Sequence, residues 1–351
     1  MGHGRVGPGW GLWRVRVGKQ AVLLLAHGTP ETVEQIPEYL RNVVSGRPVP
    51  QAVVEEIQHR YALIGHSPLT EITYEQARLV EAELNGAGEA NSAPHPGDKS
   101  RMGRPGIRVY VGMRNWRPYI PDVVKQMRAD GVEEAAVVCM APQNSRTSVG
   151  LYRRAVEAEA QGLRIDFTEG WARHPLLADA FAERLRTAWS KLSAEVGAPV
   201  PVLFTAHSVP TRTVEPPAGD AGPRHWPGTG ADPYAEEARH TAELVAARVP
   251  EIPRWWFAFQ SQGASGGPWI GPSVEETLDE MAGTGVRALI LQPIGFLCDH
   301  VEILYDVDKL FRGYAADKGM RLERPESLND SATLAKAVTE LAQQGLARLR
   351  A

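Results

Sequence analysis

Residues Ala288–Asp308 read ALILQPIGFLCDHVEILYDVD, and this stretch decides the fold. Ala288–Ile294 is apolar without alternation, as in a strand buried on both faces, and it ends at Gly295. From His300 to Ala315 apolar residues recur at helical spacing. A continuous apolar strand running into a helix is the unit of a parallel sheet covered on both sides. The unit repeats outward from here. Strand-like runs occur at Ala21–Ala26, Ile107–Met113, Ala135–Ala141, Arg164–Thr168, Val202–Ala206 and Trp255–Phe259. Between them lie helical patterns such as Thr32–Ser45, Gln51–Leu63, Thr70–Leu84, Leu176–Leu192 and Ala332–Leu349. The βαβα order predicts an α/β doubly wound fold. The strands divide near Gly170, which predicts two similar halves, residues 21–170 and 171–351, facing each other across a cleft. Ligands of open α/β sheets sit outside the carboxyl ends of the strands. His27, His207 and the segment Gly295–Glu302 all fall at such ends.

The 351 residues are 43% hydrophobic and 23% charged, a globular composition long enough to bury a core without disulfides. A formal net charge of −4 offers no basic field for nucleic acid, so no nucleic-acid partner is expected. No apolar run approaches the ~20 residues of a membrane span, so no transmembrane segment is expected. Met1–Gln20, rich in Gly, Arg and Trp, reads as a disordered extension or a misplaced start, without the apolar core of a signal peptide. Gly86–Pro105 and Pro216–Asp232 read as polar surface insertions. The two cysteines, Cys139 and Cys298, read as buried free thiols and are too few for an iron–sulfur cluster. A cytoplasmic location is the default expectation. The sequence sets no oligomeric state, and a monomer is the simplest assumption.

Two elements carry chemistry. In VLFTAHSVP, Val202–Pro210, a buried strand delivers His207 to its carboxyl end; a lone histidine there is as readily a hydrogen-bonded structural group. In QPIGFLCDHVEILYDVD, His300, Glu302 and Asp306 follow Gly295 closely, and Glu302 and Asp306, four apart on a helix, share a face. An acidic helix start favoured by the macrodipole explains Asp299 well. It explains Glu302 and Asp306 less well, because they alternate with Ile303, Leu304 and Tyr305.

Together these elements resemble the ferrochelatase family, which carries A-H-S-[LV]-P and P-[IV]-G-F-x-x-D-H-[LIV]-E-x-L-[YF]-[DE]-x-D in this order. The resemblance extends through LLLAHGTPE (Leu23–Glu31), RYALIGHSPLTEIT (Arg60–Thr73), VGMRNWRPYI (Val111–Ile120) and FQSQGASGGPWIGPSVEE (Phe259–Glu276). It implies two Rossmann-like halves with a porphyrin between them, and a lyase that inserts Fe²⁺ in haem biosynthesis. Porphyrin and ferrous iron would be its substrates, with no permanently bound cofactor. Carried over, His207 and Glu302 become the catalytic, metal-handling pair and His300 the supporting histidine, with Asp306 continuing an acidic row. A further carboxylate usual in the family is Leu310 here, which breaks that row. His27 stands where coproporphyrin-using relatives commonly have Tyr, on the opposite face of the porphyrin, and imidazole is a capable iron ligand. A loop histidine bonded to backbone is the structural alternative. Arg60, Tyr61, Ser67 and Tyr152 match porphyrin-contacting positions, although one residue is missing between Ile64 and Ser67 and Asn144 replaces an aromatic. From pattern alone, Arg60 and Tyr61 read as a surface arginine and a core tyrosine. The Q-S-Q form and P-W-I-G-P ending of Gln260–Pro272 resemble coproporphyrin III enzymes more than protoporphyrin IX enzymes.

The chemistry suits these residue types. Metallation replaces two pyrrole N–H protons by Fe²⁺. A neutral imidazole accepts a proton or binds metal, and a carboxylate does both. Two other readings stay open: a chelatase for another tetrapyrrole or metal, and a haem-binding protein without activity. The latter would bind haem without metallating a free-base porphyrin.

Overall fold

The computed structural model describes residues 19–86, 106–215, 231–262 and 267–351. The expected extension and the two expected insertions therefore fall almost wholly outside the described residues. The first sheet holds β1 (Gln20–Ala26), β2 (Arg108–Met113), β3 (Glu134–Cys139) and β4 (Arg164–Thr168), all parallel, in the order β2-β1-β3-β4. The second holds β5 (Val202–His207), β6 (Trp255–Gln260), β7 (Ala288–Pro293) and β8 (Arg321–Glu323), also parallel, in the order β6-β5-β7-β8. The α/β doubly wound architecture is as the sequence predicts. The topology is the same in both sheets, and in each the strand order reverses beside the first strand, at β1 or β5. That reversal opens the crevice in which such folds bind ligands. His27 follows β1 directly and His207 ends β5, so the two histidines occupy equivalent points of the two halves.

Helices cover both sheets. In chain order they are α1 (Ile36–Val43), α2 (Gln51–Ile64), α3 (Leu69–Leu84), α4 (Ile120–Ala129), α5 (Val149–Glu157), α6 (Pro175–Val196), α7 (Thr211–Val214), α8 (Tyr234–Arg248), α9 (Val274–Gly283), α10 (Arg312–Asp317) and α11 (Ala332–Arg350). Four elements differ from the expectation, among them the four-residue helix α7, which no sequence pattern predicts. The helix expected at Thr32–Ser45 is a 3₁₀ turn, Val33–Gln35, followed by α1. The strand β8 has three residues, too few to show a period. The helix expected at His300–Ala315 is a π-helix, Glu302–Phe311, continued by α10. A π-helix bonds each residue to the fifth along, is rare, and clusters at functional sites. Its inner face is built by Ile303, Val307 and Phe311, which pack against β7 residues Leu289 and Leu291.

One hydrophobic core runs through both halves. Val22 and Leu24 of β1, Phe204 of β5, Phe181 of α6 and Val338 of α11 all belong to it and are fully or almost fully buried. The last helix, α11, does not stay with the second sheet. Gly345 packs on Ala136 of β3, where an added Cβ would come within 2.9 Å of the Ala136 Cβ. Arg348 grips Asp166 of β4 through two hydrogen bonds of 2.8 and 2.7 Å.

Candidate active site

β5 delivers His207 to the crevice, and its neighbours hold the strand end. Ser208 N–H donates to the Gln260 carbonyl at 2.7 Å, Ser208 Oγ donates to the Ile270 carbonyl at 2.7 Å, and Tyr234 Oη donates to the His207 carbonyl at 2.8 Å. From the adjacent strand β7 the chain turns through Gly295, passes Cys298 and His300, and enters the π-helix at Glu302. His207 Nδ1 faces the Ser208 carbonyl, and His300 Nδ1 faces the Cys298 carbonyl at 3.1 Å. A carbonyl only accepts, so both Nδ1 atoms carry hydrogen and each neutral ring keeps a bare Nε2. Both Nε2 atoms aim at one carboxylate: His207 lies 3.4 Å from Glu302 Oε1 and His300 lies 3.4 Å from Oε2. Backbone carbonyls that fix the Nδ1 proton are the usual means of orienting a metal-facing imidazole.

Burial opposes charge on His207, but the Glu302 carboxylate, the Ser208 carbonyl and Asp306 outweigh it, and the imidazole titrates above its ordinary 6.5. Burial also opposes the Glu302 anion, yet His207 and His300 hold its carboxyl well below the usual range. Each group therefore favours the charged form of the other. Asp306 lies on the same face of the π-helix. Burial raises its carboxyl, and the Glu302 charge adds to this, while Ser261 and Arg60 work the other way. Among the described residues, no group of three or more His, Cys, Asp or Glu side chains is arranged to hold a metal ion.

His27, Tyr39 and Tyr61 of the first half all feel the Glu302 charge, so the first half meets the second at this carboxylate. A family model described as ferrochelatase matches residues 19–346. The chain belongs to the ferrochelatase family. A protein of Acidobacterium capsulatum named ferrochelatase is 58% identical over 334 residues, covering 95% of this chain and 96% of the relative. One of Mycolicibacterium vanbaalenii named coproporphyrin III ferrochelatase is 33% identical over 331 residues, covering 92% of this chain and 88% of that one. Among solved structures, the Bacillus subtilis chelatase SirB with Fe³⁺ overlays at a TM-score of 0.52 and 12% identity, covering 95% of this chain and 98% of its own. That likeness speaks for the fold alone.

The ferrochelatase motifs thus bring His207, His300 and Glu302 into one cluster. His27 lies across from it. Its Nε2 is 2.9 Å from Tyr39 Oη, and Asn115 Nδ2 lies 3.2 Å from Nδ1 and 3.1 Å from Nε2. Burial, then the Arg114 charge, pull its pKa down to about 3. The ring is bonded to side chains, not to backbone as the structural alternative supposed. Arg60 reaches over the π-helix: its guanidinium lies 4.8 Å from the Tyr305 ring centre and donates to Asp306. The buried hydroxyls of Tyr61 and Ser67 lie against each other. Tyr152 is buried, with Arg114 5.5 Å over its ring. Tyr39, Arg114, Asn115, Tyr234 and Ser261 were not singled out from the sequence. Arg114 and Asn115 directly follow the carboxyl end of β2, so the rule that selected His27 points to them as well.

Proposed function

We propose that the protein inserts Fe²⁺ into a free-base porphyrin bound between its two halves, with coproporphyrin III preferred over protoporphyrin IX. We further propose that His207 and Glu302 are its catalytic, metal-handling pair, with His300 in support. The observation that carries this is the convergence of two imidazole Nε2 atoms on one carboxylate at the crevice of the second sheet. Two nitrogens and a carboxylate offer lone pairs to a borderline cation without the grip of several thiolates, which suits an ion that must move on. The reaction exchanges charge for charge: one Fe²⁺ enters the macrocycle and two pyrrole protons leave. His207 Nε2 takes one proton and becomes the imidazolium that Glu302 already favours, and Glu302 passes the other towards Asp306 and solvent. His27, Arg60, Tyr61, Ser67 and Tyr152 are assigned to the porphyrin. Arg60 supplies a fork of donors for a propionate, and the neighbouring Tyr61 and Ser67 hydroxyls add two more donors.

The coproporphyrin preference is supported by the form of the Gln260–Pro272 segment, of which residues 263–266 lie outside the described residues, and by relatives that bear that substrate in their names. A substrate with four propionates needs many donors, because a buried unpaired carboxylate is costly. The deciding experiment is anaerobic Fe²⁺ insertion with coproporphyrin III and protoporphyrin IX side by side, compared by kcat/KM. A higher ratio for coproporphyrin III is expected. A higher ratio for protoporphyrin IX overturns the preference alone, and haem binding without insertion of iron into either porphyrin overturns the activity.

A further inference from the structure

The π-helix that carries Glu302 is gripped from outside the site by Arg324. Arg324 follows β8 directly. Its Nε and Nη2 donate to the two oxygens of Asp308, each at 2.8 Å, and its Nη1 lies 3.2 Å from Asp299 Oδ1. Asp299 directly precedes His300, and Asp308 lies six positions beyond Glu302. One guanidinium therefore grips the chain on both sides of the site residues. The side chain is only 11% exposed, and both carboxylates are largely covered. The rest of the loop completes the grip. Ser327 Oγ donates to Asp299 Oδ1 at 2.7 Å, Asn329 Nδ2 donates to Asp299 Oδ2 at 2.9 Å, and Asp299 N–H donates to Asn329 Oδ1 at 2.9 Å. From the first half, Gln76 of α3 donates to the Asn329 carbonyl at 2.8 Å.

From this geometry we infer that Arg324, bridging Asp299 and Asp308, is a positioning residue for metal delivery: it fixes the turn that aims His300 and Glu302 at His207. The inference rests on the reading of His207 and Glu302 as the metal-handling pair. A π-helix has poorer local geometry than an α-helix and persists where its surroundings over-determine it. A bidentate guanidinium sets both distance and angle, which an ammonium does not. Groups that orient metal-facing ligands typically matter about 10–100-fold for metal affinity or turnover.

The test is anaerobic kinetics of Arg324→Ala, Arg324→Lys, Asp308→Asn and the Arg324→Ala/Asp308→Asn pair, with coproporphyrin III and Fe²⁺ varied in turn. Arg324→Ala is expected to lower kcat/KM for Fe²⁺ about 10–100-fold while KM for the porphyrin holds. Arg324→Lys should recover part of the loss, and Asp308→Asn should add little once Arg324 is gone. Gly345→Ala, which crowds α11 against β3 far from this loop, serves as a destabilised control whose KM for Fe²⁺ stays put. Equal losses for both substrates that follow the fall in Tm, as in the control, make Arg324 merely structural and overturn the inference. If Arg324→Ala does not fold, Asp308→Asn alone must show the Fe²⁺-selective loss, and its absence overturns the inference equally. Glu302→Gln separates the two readings. If it keeps turnover, the metal-pair reading falls and the inference with it. If it loses turnover while Arg324→Ala keeps its KM for Fe²⁺, only the inference falls.

Discussion

Arg60 of α2 donates to Asp306 of the π-helix at 3.2 Å, an ion pair that joins the two halves directly beside the His207, His300 and Glu302 cluster. Asp306 is almost completely buried, and Ser261 also donates to it, so its charge is already spoken for before any ion approaches. With Leu310 exposed one turn further on, the acidic row expected along this helix stops at Asp306. Trading this partner for a propionate would leave a buried carboxylate served by Ser261, so the exchange carries a cost that the incoming propionate must offset. Arg60→Met is expected to raise KM for the porphyrin about tenfold, the worth of one charge-assisted hydrogen bond, and to lower Tm because the buried Asp306 loses its cation. Steady-state kinetics at saturating Fe²⁺ check it, and an unaltered porphyrin KM confines Arg60 to its pairing with Asp306.

His207→Ala and Glu302→Gln are each expected to lower kcat at least about 100-fold, the usual worth of a positioned proton acceptor, while circular dichroism and porphyrin binding stay near wild type. Near-normal turnover in both removes the pair from the chemistry.

The pH profile has a definite sign. Glu302 raises the pKa of His207, so the imidazolium persists above 6.5 and its Nε2 is bare only at higher pH. Measured between about pH 5 and 8, kcat/KM should rise with pH, with its midpoint above the ordinary imidazole value. A midpoint at or below 6.5 contradicts this. His27 titrates near 3 and contributes nothing in this window.

Because His27 stays neutral, it can serve the product iron as a ligand at any working pH. To do so it must exchange its Tyr39 or Asn115 contact for the metal. The complex with iron coproporphyrin is expected to show a histidine-ligated spectrum, constant over the same pH range and altered in His27→Ala. Identical spectra for wild type and variant rule out ligation.

The sheets were legible because their strands are continuous apolar runs; Val22–Leu25, Val137–Val138 and Leu289–Leu291 are all fully buried. The π-helix was not, since its inner residues Ile303, Val307 and Phe311 recur every four positions and fit an α-helix equally well. The side chains that hold Asp299 and Asp308 come from a later loop, outside any window read for helical period. His207 and Glu302 could be found because each ends or follows a strand at the crevice. Tyr39 and Tyr234 could not, because a tyrosine on an amphipathic helix reads as core until a neighbour shows where its hydroxyl points. Tyr39 bonds His27 and Tyr234 bonds the His207 carbonyl, so both support a residue that the sequence did reveal.

The return of α11 to the first sheet has a consequence for biosynthesis. β3 and β4 leave the ribosome long before Ala332–Arg350 is made, and Ala136 and Val138 need that helix to cover them. The N-terminal half therefore cannot finish folding as it emerges. It must wait, with one apolar face open to chaperones, until translation of the whole chain is nearly done.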